Sequence, residues 1–160
     1  MELRKFIKTT IREYMNEQQN IETNINDNFW KWFRNSKVVD KDGNPMIVYH
    51  ATKNDFKSFS FKNSLQKIIW FTNDVNAIKN KEVGAAGYDF TKELYVSAKN
   101  TCGWEEYKKY GLGQLKEMGY DGCILKNNDG TFNGFVFNPI QIKSVENKGT
   151  WDSNNKNIYS

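Results

Sequence analysis

The chain is poor in the residues that usually announce a function: two cysteines, two prolines and one histidine in 160 residues. Cys102 and Cys123 cannot build a disulfide framework and lack the paired spacing of a zinc site, and a single imidazole leaves no His pair for a metal. No metal centre is expected. Eleven glycines and two prolines are too few for a collagen-like or low-complexity chain. The longest apolar stretches, Met46-Ile47-Val48-Tyr49 and Ile68-Ile69-Trp70-Phe71, fall far short of the ~20 residues that span a bilayer, so no membrane association is expected. Charges at Glu2, Arg4, Lys5, Lys8 and Arg12 interrupt any secretory apolar region, which makes the cytoplasm the expected address. A Gly-rich phosphate loop and a Gly-x-Ser-x-Gly elbow are also missing, which disfavours phosphoryl transfer and serine hydrolysis.

What is plentiful is aromatic surface. Eleven Phe, eight Tyr and five Trp residues supply enough apolar area to offset the conformational entropy of one folded domain. The net charge of +4 is modest and unevenly spread. Residues 1–28 carry 4 basic and 5 acidic groups, whereas residues 29–160 carry 19 and 14. That surplus permits an anionic ligand or nucleic acid without forming the clustered stripe of a dedicated nucleic-acid binder.

Leu3, Phe6, Ile7, Thr10, Ile11 and Tyr14 share one face at helical spacing, so residues 2–19 are predicted to form an amphipathic helix. The Asn-rich segment 18–28 reads as a polar linker. Together, residues 1–28 form an arm suited to docking on a partner such as a virion component, and residues 29–160 form the body. Within the body, the Lys41-Asp42-Gly43-Asn44 turn between Val38–Asp40 and Pro45–Tyr49 predicts a hairpin. Further strands are predicted over 67–71, 93–97, 123–125 and 135–137, and a helix over 105–118 ending at Gly119. The residues after Lys143 read as a polar tail pinned by Trp151.

His50 is the sole imidazole, placed at a strand end before small Ala51 and the hydroxyl of Thr52. A Cys–His nucleophilic pair with Cys102 or Cys123 is conceivable, but Cys123 lies in an apolar run and reads as core.

Six segments occur in a telling order: Phe33–Asp40, Asp42–Pro45, Val48-Tyr49-His50-Ala51-Thr52, Ile69-Trp70-Phe71-Thr72, Gly119-Tyr120-Asp121-Gly122 and Phe137-Asn138-Pro139-Ile140-Gln141-Ile142-Lys143-Ser144. Their order and spacing resemble the ADP-ribosyltransferase domains of phage and mobile-element polyvalent proteins, relatives of the diphtheria-toxin and poly(ADP-ribose) polymerase type. The resemblance covers about residues 29–159. It implies an α+β fold, a split and bent mixed β-sandwich with short flanking helices, binding NAD as cosubstrate without a metal.

The resemblance also assigns roles. His50 would hydrogen-bond the adenosine ribose, Ala51 would hold the nicotinamide amide through its main chain, and Thr52 completes that motif. Trp70 would stack on the nicotinamide ring. The second stacking tyrosine of the family has no counterpart at its usual spacing, which leaves Tyr88 as the substitute. The position of the family's catalytic glutamate falls on Asn133, an amide that supplies no negative charge, with Gln141 as the other polar candidate. The implied activity is mono-ADP-ribosylation of a host protein or nucleic acid with release of nicotinamide. Two alternatives stand beside it: an NAD-binding module with weak or lost catalysis, and a nucleic-acid-binding domain that uses the aromatic cluster at Phe29, Trp30, Trp32 and Phe33.

Overall fold

The computed structural model describes residues 24–62, 65–79 and 90–160. The predicted amphipathic helix and Tyr88 lie outside the described residues. The chain forms α1 (Asp27–Phe33), β1 (Val48–Thr52), β2 (Ile69–Thr72), α2 (Val75–Lys79), β3 (Phe90–Val96), β4 (Thr101–Cys102), α3 (Trp104–Lys109), α4 (Leu112–Glu117), β5 (Gly122–Lys126), β6 (Phe132–Val136), a 3-10 turn (Pro139–Gln141) and β7 (Ile142–Ser144). This is an α+β domain. The seven strands of the described residues make one sheet in the order β4-β5-β6-β2-β1-β3-β7. Only β4 and β5 run parallel; every other neighbouring pair is antiparallel.

Alternation along the strands divides the apolar residues between two faces. On β6, Phe132 and Val136 join a cluster with Val48, Ile69, Phe71, Leu94 and Val96. Phe135 points the other way, into a cluster with Cys102, Leu115, Cys123 and Leu125. The α3–α4 pair covers this second face. Sequence spacing predicted one helix there; Tyr110 is extended and Gly111 starts a new turn, so the predicted helix is broken in two. Gly119 ends α4 at φ +95, as a left-handed stop requires.

A third cluster is almost wholly aromatic. Phe29, Trp32 and Phe33 on α1 pack with Tyr95 and Trp151, all buried. Phe29 stacks on Phe33 at 5.0 Å, and its ring meets Trp151 edge-on at 4.8 Å. The run read as a nucleic-acid platform is therefore core, and only Trp30, at 48% exposure, faces solvent. The Asn-rich stretch also packs on the body from Asn24 onward. Asn26 caps α1 by accepting from Phe29 N and donates to Gly149 O at 2.9 Å, while Trp151 Nε1 donates to Asn24 O.

The predicted hairpin shrinks to a single bridge, Val39↔Pro45, closed by Gly43 at φ +83. Asp40 Oδ1 accepts from the amides of Asp42 and Asn44, an Asx arrangement that holds the turn without a ladder.

The C-terminal segment is more than a tail held by Trp151. Ile158 is fully buried, and the ammonium of fully buried Lys143 donates to the carbonyls of Asn155, Asn157 and Ser160 at 2.8, 3.2 and 2.5 Å. Three charge-assisted bonds compensate a cation whose pKa burial pushes down to about 8. Lys143→Met keeps the apolar stem and removes all three donors. It is expected to cost about 2 kcal/mol and to make residues 152–160 sensitive to limited proteolysis.

Candidate functional site

The segments that carry His50, Trp70 and Asn133 lie 20 to 83 residues apart in sequence, yet they form the adjacent strands β1, β2 and β6 at the centre of the sheet. The reason is packing. Val48, Ile69, Phe71 and Val136 share one buried face, and the register Trp70↔Phe135 and Thr72↔Asn133 locks β2 to β6. Between β1 and β2 the ladder is far shorter, with a single pair, Tyr49↔Thr72. Past that pair, His50, Ala51 and Thr52 have ladder partners only on β3, at Lys92, Thr91 and Phe90. The β1–β2 ladder is split here, within a sheet that is otherwise continuous.

His50 spans the split. Its Nδ1 lies 2.6 Å from Trp70 O. A carbonyl can only accept, so Nδ1 carries the proton and the neutral ring presents Nε2 as an acceptor. The imidazole meets Phe59 edge-on at 4.9 Å and Phe56 at 6.4 Å. Burial holds its pKa below the ordinary 6.5, against a smaller upward pull from the Trp70 carbonyl. The unfolded chain therefore takes up a proton before the folded one does, so stability should fall as pH drops below 6.5 and level off once the folded imidazole is protonated. His50→Gln is expected to flatten that slope in thermal denaturation between about pH 5 and pH 7.5.

Trp70 is half-buried and packs on the other face of the sheet, its indole 5.0 Å from Phe135 and 6.5 Å from Tyr107. Its Nε1 donates weakly to Gln66 Oε1 at 3.4 Å. The imidazole and the indole thus do not converge on one notch, and what joins them is the His50–Trp70 main-chain bond across the split. Asn133 is half-buried beside Thr72 and Leu125, and its side-chain amide makes no hydrogen bond among the described residues. Ala51 is buried, and Thr52 uses its hydroxyl locally, donating to Asn54 O at 3.0 Å.

Gln141 is elsewhere. Its Nε2 donates to Ser97 O and Asp121 O at 3.2 and 3.0 Å, and its Oε1 accepts from Asn138 N at 3.0 Å. These bonds knit the ends of β3, β5 and β6. With Trp32, Tyr120 and Phe137 it lines an open cavity of about 420 Å³ that His50, Trp70 and Asn133 do not touch.

Sequence reasoning missed the surroundings of His50. Phe56 and Phe59 wall its ring, and Lys92, its cross-strand neighbour on β3, pairs with Asp55, donates to Tyr159 Oη at 2.9 Å and lies over the Phe56 ring at 5.6 Å. The clustering of Phe56, Phe59 and Phe61 directly after Thr52 was the available signal, but it gave no partner across the sheet.

The domain is therefore an α+β fold built on one seven-stranded sheet, with a neutral histidine where the β1–β2 ladder ends and, on β6, an amide that makes no hydrogen bond among the described residues. No family model, curated protein or solved structure matches the chain. No group of three or more His, Cys, Asp or Glu among the described residues could hold a metal ion, and no described helix is long and apolar enough to cross a membrane.

Proposed function

We propose that this domain binds NAD at the split between β1 and β2, cleaves the nicotinamide–ribose bond and transfers ADP-ribose to a host macromolecule. The observation that carries the reading is the His50 Nδ1–Trp70 O bond at 2.6 Å. It couples the two residues that the family resemblance assigns to the dinucleotide, across the one place where the central ladder stops. With Nδ1 committed as donor, Nε2 is left to accept a ribose hydroxyl. Main-chain groups of Ala51 on the unladdered side can meet a planar carboxamide, while the Trp70 indole, on the opposite sheet face, is joined to this site through its main-chain carbonyl.

The chemistry demands little of the side chains. Nicotinamide leaves as a neutral pyridine from a cationic one, so the departing group needs no proton. What the protein supplies is position, together with stabilisation of the positive charge that develops on the ribose. Asn133 stands where a carboxylate would do the second task; its amide can hold ribose hydroxyls but contributes only a dipole. Wild-type turnover is therefore expected to be slow. This is the specific feature that favours the second reading, an NAD-binding module with weak catalysis.

Nicotinamide release from NAD by the wild type and His50→Ala separates the cases. Loss of release in the variant, with labelled ADP-ribose appearing on host lysate components only in the wild type, supports the transferase. Equal release by both overturns it. Calorimetric NAD binding without release supports the binding module.

A further inference from the structure

We propose that Cys102 and Cys123 are a modification site, a dithiol that closes to a reversible disulfide and latches strand β4 to β5. The two residues lie 21 positions apart with no disulfide-like pattern around them, yet they are direct register partners on the parallel pair β4–β5. Register partners on neighbouring strands have Cα atoms about 5 Å apart and project from the same face, within the Cα range of disulfides. Both residues enter the same buried cluster with Leu115, Leu125 and Phe135, and both are free thiols. The structural role of each is slight. Cys102 Sγ donates to Gly122 O at 3.4 Å and Cys123 Sγ to Gly103 O at 3.8 Å, weak bonds that a pair of small apolar residues would replace.

Burial raises both thiols above their ordinary pKa, so attack must proceed from a locally opened state. The fold supplies one. β4 is two residues long, and among the described residues it forms one end of the sheet and pairs with β5 alone. Helix α3, which follows it, buries no residue fully. Fraying this edge exposes Cys102 first and leaves the central strands intact.

With glutathione disulfide as oxidant, the Cys102 thiolate attacks its S–S bond and releases one glutathione thiolate. The Cys123 thiolate then attacks Cys102 Sγ in the mixed disulfide and releases the second. Two protein thiols lose two electrons, one glutathione disulfide gains them, and the two protons end on the released glutathione. The closed bond encloses α3 and α4. Because α3 carries Tyr107 against Trp70, the latch stiffens the wall behind that indole.

The test uses the folded wild-type chain of 160 residues, incubated with glutathione disulfide, then alkylated and weighed intact. The expected result is loss of both alkylatable thiols with loss of two hydrogens from the mass, recovery of both thiols with dithiothreitol, and slower amide exchange over residues 104–117 in the oxidised form. Cys102→Ser and Cys123→Ser should each stop at a single glutathione adduct or stay reduced. Two alkylatable thiols after exposure that fully oxidises the urea-unfolded chain, a stable glutathione adduct on the wild type, or an intermolecular dimer would each overturn the proposal.

Discussion

Asn133→Glu is expected to release nicotinamide from NAD about a hundredfold faster than the wild-type chain. The substitution places a carboxylate on β6 beside Thr72, one strand from Trp70 and two from His50. Cleavage builds positive charge on the ribose, and one well-placed electrostatic partner in such a site is worth roughly 10²–10³ in rate. The ground-state pyridinium already carries a positive charge, so part of the attraction acts on bound NAD and the gain stays near the lower end. Asn133 is half-buried and its amide makes no hydrogen bond among the described residues, so the substitution breaks none there. The control is Asn133→Gln, which has the length of glutamate without its charge and should stay near the wild-type rate. Single-turnover assays with chromatographic detection of nicotinamide read the outcome. If both variants fold, bind NAD and match the wild type, the ribose does not sit against β6 and the proposed placement fails.

The second large effect concerns stability. Gly134 lies in the middle of β6, opposite Phe71 on β2 and Ile124 on β5. A Cβ there would lie 2.5 and 2.6 Å from two ring carbons of Phe71 and 2.8 Å from the carbonyl oxygen of Cys123. Neither neighbour can yield cheaply, since the ring is only 2% exposed and the carbonyl belongs to a laddered strand. Gly134→Ala is therefore expected to destabilise the domain by about 3 kcal/mol and to lower Tm by roughly 6–12 °C, against the usual small gain from removing a strand glycine. Phe71→Leu removes the clashing ring atoms and leaves the carbonyl in place. In the Gly134→Ala background it should cost less than it does alone, a coupling that denaturant titration of the four proteins measures directly. Additive effects would mean that the close approach of β2 and β6 is not what glycine serves there.

Both predictions depend on the packing of β2 against β6, which no local pattern displays. Sequence alternation indicated strands around residues 67–71 and 135–137, and both are present within two or three residues of those bounds. It could not show that they are neighbours. The same holds for Cys102 and Cys123, where spacing argued against a framework and only the parallel pairing of β4 with β5 brings the sulfurs together. Gln141 shows the converse. A polar residue in a motif reads as a site candidate, but its three hydrogen bonds join main chain just after β3, just before β5 and just after β6, a structural task visible only when those strand ends meet.

The lone histidine, the aromatic supply, the turn residues at Gly43 and Gly119 and the order of the motifs are properties of local chemistry, and the amino-acid sequence alone determined them. Side-chain size, φ freedom and hydrogen-bonding type belong to each residue wherever it sits. The direction each ring faces was decided by tertiary structure. Phe29, Trp32 and Phe33 turned inward because Tyr95 and Trp151 meet them there. His50 was fixed as a neutral donor through Nδ1 because the Trp70 carbonyl, left without a ladder partner on β1, lies within its reach. Burial and pairing are sums over residues distant in the chain, and a linear pattern holds no record of which distant surface will arrive.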